Sequence, residues 1–261
     1  MHMNLHDKIR VHFSRERSAA EDRITKVVLF TTVTCFLLYI FVGYPNFYEM
    51  VFKSPHFAVA HLIYGSDLYW YSKIFYNWGF ACLLFMVVPF LVSRKLKIPL
   101  RDLGMQLGDK KFGLILLAIG VISIPLTAQV GMVDPIFQAT YPLLRPEAIP
   151  TLNVEVIILG EISYVILYYI PYEFFWRGFA QFPLRKYGKI NTMWIILWTT
   201  GLTTLLHLPT PPSELAGAAL VGIIYGLLAL RTNSILYGLV HHAATGVSAD
   251  IVTALAINNL I

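Results

Sequence analysis

The sequence predicts an all-α protein, a polytopic membrane helical bundle with about seven transmembrane helices. Three observations lead there. Of 261 residues, 57% are hydrophobic and only 13% charged, with a mean hydropathy of +0.63, whereas a soluble domain carries about 25% charge. The apolar residues gather in runs near the roughly 20 residues that cross a hydrocarbon core of about 30 Å. No alternating strands of barrel type appear, and backbone facing lipid must satisfy its hydrogen bonds within its own helix.

The runs lie at Val27–Tyr44, Ile74–Ser93, Phe112–Val130, Val154–Phe182, Ile190–Leu208, Leu215–Leu230 and Ile235–Ala256. Residues 1–26 are mixed-charge and polar, unlike a secretory signal, in which an apolar stretch directly follows a short basic one. They read as a cytoplasmic leader, 27–153 as accessory transmembrane helices and loops, and 154–261 as the core. Lys and Arg concentrate before the first span, between the second and third, and between the fourth and fifth. The positive-inside rule then puts the N-terminus in the cytoplasm, in the plasma membrane or another cellular membrane. The formal charge of +5 is read as this topology signal, with no nucleic-acid partner, because no basic patch is interleaved with aromatics. Cys35 and Cys82 sit in apolar runs without metal-ligand spacing and read as packing residues. The segment 45–73, with Trp70 among Tyr and Phe residues, fits an interfacial loop or short helix. Ser213, after the Pro-rich turn that begins at Pro209, fits the N-cap of the sixth span.

A charge at mid-membrane costs about 2.5–3.5 kcal/mol on insertion scales, so ionisable residues inside spans mark partners or sites. Here these are Glu161, Glu173, Arg177, His207, His241, His242 and Asp250. Glu173 and Arg177 stand four apart in Pro171–Phe179 and share a helical face. On spacing alone they are equally a lock between helices and part of a site. His207 ends the fifth span and His242 begins the seventh, so both reach one cavity if the bundle closes around it. A lone intramembrane His is usually a packing residue, but two His and a carboxylate on three helices shift the balance towards a site. His241 points about 100° away from His242, so only one of the two aims at a given centre. Glu161 lies about 18 Å along its helix from Glu173, too far to share that centre, while Asp250, about 12 Å further along than His242 and about 80° round from it, fits at most a supporting place or the outer mouth. The expected cavity lies between the fourth, fifth and seventh helices, with Phe174, Phe175 and Trp176 as aromatic bulk around it.

These residues resemble the motifs of the CAAX protease and bacteriocin-processing family of intramembrane proteases, also called the Abi family. The resemblance covers residues 154–256 and reaches weakly to Leu100–Met105. The family's Glu-Glu-x-x-x-Arg is matched by Tyr172-Glu173-Phe174-Phe175-Trp176-Arg177, its Phe-x-x-x-His by Thr203 to His207, and its His-x-x-x-Asn by His242 to Gly246, with Ser234 opening the span. In the family, the first Glu and the second-motif His activate water, while the third-motif His and Asn stabilise the oxyanion. Glu173, Arg177, His207 and His242 carry over. Tyr172 stands at the first Glu, Thr203 at the Phe and Gly246 at the Asn. An unperturbed tyrosine titrates near 10, so Tyr172 is a poor base, although its hydroxyl can hold water or a carbonyl. Gly246 offers no donor, and losing one oxyanion donor typically costs about 10²–10³ in rate.

The resemblance implies an endopeptidase that cleaves a membrane-associated peptide or protein, with Glu173 as base, His207 orienting water, His242 polarising the carbonyl, and Arg177 and Tyr172 completing the site. Two other classes stay open. One is a pseudoprotease of the same fold that holds a membrane segment without cutting it. The other is a proton or ion transporter using the same groups as a relay. Glu173, His207 and His242 would make an acceptable catalytic zinc set, but no His-Glu-x-x-His occurs, and neither zinc nor any other cofactor is expected.

Overall fold

The computed structural model describes residues 5–143 and 154–259. The first four residues of the expected leader, residues 144–153 before the expected core, and the last two residues lie outside the described ones. Six helices are long and apolar enough to cross a membrane: α1 (Ser18–Gly43), α2 (Leu68–Lys95), α3 (Lys110–Val133), α4 (Glu155–Lys186), α6 (Pro212–Thr232) and α7 (Leu236–Ile257). Between α4 and α6 lies a shorter apolar helix, α5 (Thr192–Leu206). The chain is thus a multi-pass all-α bundle, and no strand occurs among the described residues. The expected leader is continuous with the first span, one helix running from Leu5 to Leu38. Of the segment 45–73, the first part folds as the short helices Pro45–Phe52 and Phe57–Ala60, whereas Trp70 lies in the first turn of the spanning helix α2.

Three of the long helices widen into π turns just before a proline. Tyr39–Gly43 precedes Pro45, Leu83–Val87 precedes Pro89, and Val165–Tyr169 precedes Pro171. Proline lacks an N–H and its ring collides with the carbonyl four residues back, and a wider turn relieves both. A fourth π turn, Phe174–Phe179, carries Arg177. The expected Glu173–Arg177 pair forms across the entry into it.

The core lies where α1, α2 and α4 meet. Phe85 stacks on Phe175 at 4.7 Å and meets Trp176 edge-on at 5.7 Å, while Phe36 meets Trp176 at 6.1 Å. Phe175 and Trp176 are buried in this packing, Phe174 is buried in a second cluster with Ile196, Ala229 and Ile235, and none of the three lines the cavity. The expectation of aromatic bulk around the site is corrected accordingly: Phe175 and Trp176 face the accessory helices, Phe174 faces α5 and α6, and the cavity takes most of its aromatics from tyrosines.

On the other side α3 packs along α7. Gly113 is seated against the Tyr237 ring, whose hydroxyl donates to the Leu107 carbonyl at 2.7 Å. Small residues at such a seam let two helices approach within lipid, where water supplies no driving force between them. Gly108, at φ +52°, lies against the Thr232 carbonyl, a left-handed conformation and an approach that side chains disfavour. The start of α6 also differs from the sequence expectation. Its N-cap is Pro211 with Pro212 at the first position, and Ser213 instead donates to Asp134 Oδ2 at 2.9 Å. That bond, with the backbone amide of Phe137, holds the Asp134 carboxyl below the usual carboxylate range.

Because the Tyr237 ring is tied down, Gly113→Val has no relaxed alternative. The overpacking costs about 1–3 kcal/mol, measured as a thermal midpoint in detergent several degrees lower, whereas Gly79→Ala, with nothing near its Cβ position, leaves it unchanged. An unaltered midpoint in Gly113→Val contradicts the tight α3–α7 seam.

Candidate active site

Glu173 is fully buried on α4, and its Oε1 accepts from Nδ1 of His242 on α7 at 2.8 Å. Its Oε2 lies 3.8 Å from Arg177 Nε, an ion pair too long to be a hydrogen bond. The π turn beneath Arg177 accounts for that length. With its Nδ1–H committed to a carboxylate, His242 has a fixed ring orientation and Nε2 as its working atom. Its ring is walled by Tyr169 at 4.9 Å, Tyr225 at 5.5 Å and Tyr172 at 5.6 Å.

A cavity of ≈ 1340 Å³ opens in front of this pair, lined among others by Tyr172, Arg177, His207, Tyr225 and His242. Four of the five expected site residues thus border one space. Glu173 does not, because it stands behind His242. The histidines of the second and third motifs therefore border a shared cavity, although His207 was expected towards the far end of its span. The length of α5 explains this: 15 residues rise about 22 Å, short of a hydrocarbon core of roughly 30 Å. A helix that stops early delivers its C-terminal residue inside the bundle. His207 is the C-cap of α5, and its Nδ1 donates to the Thr203 carbonyl at 2.8 Å.

The partner of His207 is Glu214, with Oε1 at 3.7 Å from His207 Nε2. Tyr141 donates to the other carboxylate oxygen at 2.8 Å. Burial and the neighbouring Glu214 charge hold the Tyr141 phenol well above its usual range, so it stays a donor. Glu214 is also within electrostatic reach of His242. The polarity of the spans does not single out Glu214, which precedes the sixth apolar run by one residue. The available signal was its spacing of seven residues after His207 across a proline turn. His241 also borders the cavity, but both its ring nitrogens are engaged: Nδ1 is 2.6 Å from Tyr225 Oη and Nε2 2.9 Å from Ser123 Oγ. Glu161 and Asp250 stand within electrostatic reach of each other, and Asp250, whose Oδ2 accepts from the Leu143 amide at 3.4 Å, borders the cavity.

Each departure from the motif pattern has a local complement. Tyr172, in the place of the first Glu, stacks on Tyr168 at 5.7 Å, and Thr203, in the place of the Phe, donates to the Thr200 carbonyl at 3.0 Å. A Cβ at Gly246 would run into the hydroxyl of Tyr169, so a phenol fills the space that an Asn side chain would take. Among the described residues, no group of three His, Cys, Asp or Glu could hold a metal ion, and Glu173, His207 and His242 do not gather as a ligand set.

Because Gly246 and Tyr169 compete for one volume, Gly246→Asn lowers the thermal midpoint, and Tyr169→Ala in the same chain recovers part of the loss. The expected coupling between the two is about 0.5–3 kcal/mol. Strictly additive effects contradict the contact.

Residues 155–248 match the family model described as type II CAAX prenyl endopeptidase Rce1-like. The match falls on α4 to α7, the part of the chain that carries the motif resemblance. No curated protein and no solved structure matches the chain.

Proposed function

We propose that this Rce1-like chain is an integral membrane endopeptidase that hydrolyses a membrane-associated peptide. The observation that supports this best is that His207 and His242, each beside a carboxylate, border the same cavity. The cavity also carries apolar side chains from α3 and α6, among them Leu116, Leu220 and Val221, which suit a lipid-borne or prenylated segment.

The roles follow from the bonds each group has left. Glu173 has one oxygen on His242 and the other beside Arg177, so it positions His242, and offsets the charge when that ring carries a second proton, rather than meeting water itself. His242 then presents Nε2–H to the scissile carbonyl as its oxygen gains charge. His207 donates from Nδ1 to a backbone carbonyl, which can only accept, so the neutral ring has its lone pair on Nε2, as a base requires. Tyr172 closes the cavity wall beside His242, and Arg177 balances the charge of Glu173. No metal enters this scheme. In the orientation expected from the basic loops, the N-terminus is cytoplasmic.

A peptide-holding derivative is the second reading, supported by Tyr172 and Gly246 at two positions where the family pattern has functional side chains. The two readings separate on purified protein in liposomes with a library of membrane peptides that includes prenylated C-terminal ones. The endopeptidase cleaves, His207→Ala and His242→Ala each lower kcat/KM at least about 10²-fold, and Glu173→Gln lowers it less. Capture of a peptide that no variant and no wild-type preparation cleaves contradicts the endopeptidase and supports the derivative. Ion flux that depends on Glu173 would point to the relay instead.

A further inference from the structure

Glu214 stands in the first turn of α6 with its side chain 24% exposed, opposite a His207 side chain that is 16% exposed. Both line the cavity. Tyr141 fixes one carboxylate oxygen, and the other is left facing His207 Nε2 across 3.7 Å. That gap is too long for a direct hydrogen bond, and a single water spans it by donating one hydrogen to each side. The two acceptors are held independently of each other, His207 by the Thr203 carbonyl and Glu214 by the Tyr141 phenol.

We propose that Glu214 is a catalytic residue, forming with His207 the pair that holds and activates the hydrolytic water. This rests on the endopeptidase reading. In the addition step the water oxygen bonds to the scissile carbonyl carbon, the carbonyl π pair moves onto its oxygen beside His242, and the water proton passes to His207 Nε2. The resulting imidazolium faces the Glu214 carboxylate, which holds the remaining hydrogen of the attacking oxygen. On collapse the carbonyl re-forms, the C–N bond breaks, and the proton on His207 passes to the leaving nitrogen. The products are a carboxylic acid and an amine, with no oxidant or further reactant. An intramembrane site gains from this arrangement because the carboxylate keeps a water polarised where bulk solvent is excluded.

The test compares wild type, Glu214→Gln and Glu214→Ala in the liposome cleavage assay. Glutamine preserves the shape of the side chain and an oxygen for Tyr141, so folding is retained and checked by thermal midpoint. Glu214→Gln lowers kcat about 10²-fold or more while KM stays within about threefold. Added formate restores part of the rate of Glu214→Ala but none of that of His207→Ala, which a purely structural role for Glu214 does not produce. A Glu214→Gln enzyme with kcat within about threefold of wild type, or an Ala variant that formate leaves unchanged, overturns the proposal while the endopeptidase reading stands. Absence of cleavage by wild type overturns both.

Discussion

The site depends on what a low-dielectric interior does to charge. An isolated carboxylate moved out of water carries a penalty of several kcal/mol or more, and it persists only where hydrogen bonds and counter-charges offset that penalty. Glu173 is fully buried, and its environment meets this demand with one hydrogen bond from His242 and the nearby guanidinium of Arg177. Because both partners are needed, α4 and α7 are held at a fixed register, and the His242 ring is held with them. The positioning of a functional imidazole and the toleration of a buried acid are here one and the same interaction.

The same constraint organises the opposite wall. Glu214 lies at the end of a helix rather than at its middle, where a phenol donor and an imidazole reach it. A short α5 and a proline-rich turn bring His207 and Glu214 to that place. The two His–carboxylate pairs therefore differ in character. The one at α4 and α7 is sealed behind the cavity and sets orientation, whereas the one at α5 and α6 is partly exposed to it and can meet water.

Much of this was legible in the sequence. Hydropathy located the spans, and the cost of intramembrane charge selected Glu173, Arg177, His207 and His242, because such residues are rare enough in lipid to stand out. What stayed hidden depended on contacts between helices. The π turns at Pro89 and Pro171 arise from the collision of those rings with preceding carbonyls, which the apolar pattern does not announce. The aromatic run Phe174–Trp176 was assigned to the cavity because composition does not tell which faces of α4 meet the neighbouring helices. Glu214 escaped notice because it flanks an apolar run instead of interrupting it. The complement between Gly246 and Tyr169 joins two helices, and no local pattern encodes it.

The most direct measurement of the central claim is an experimental structure of the protein in lipid with a phosphinic peptide, whose tetrahedral phosphorus carries two oxygens in place of the carbonyl and the attacking water. The account predicts one oxygen within hydrogen-bonding distance of His242 Nε2 and the other between His207 Nε2 and Glu214. A peptide bound elsewhere, or one whose phosphorus meets only one of the two imidazoles, contradicts it.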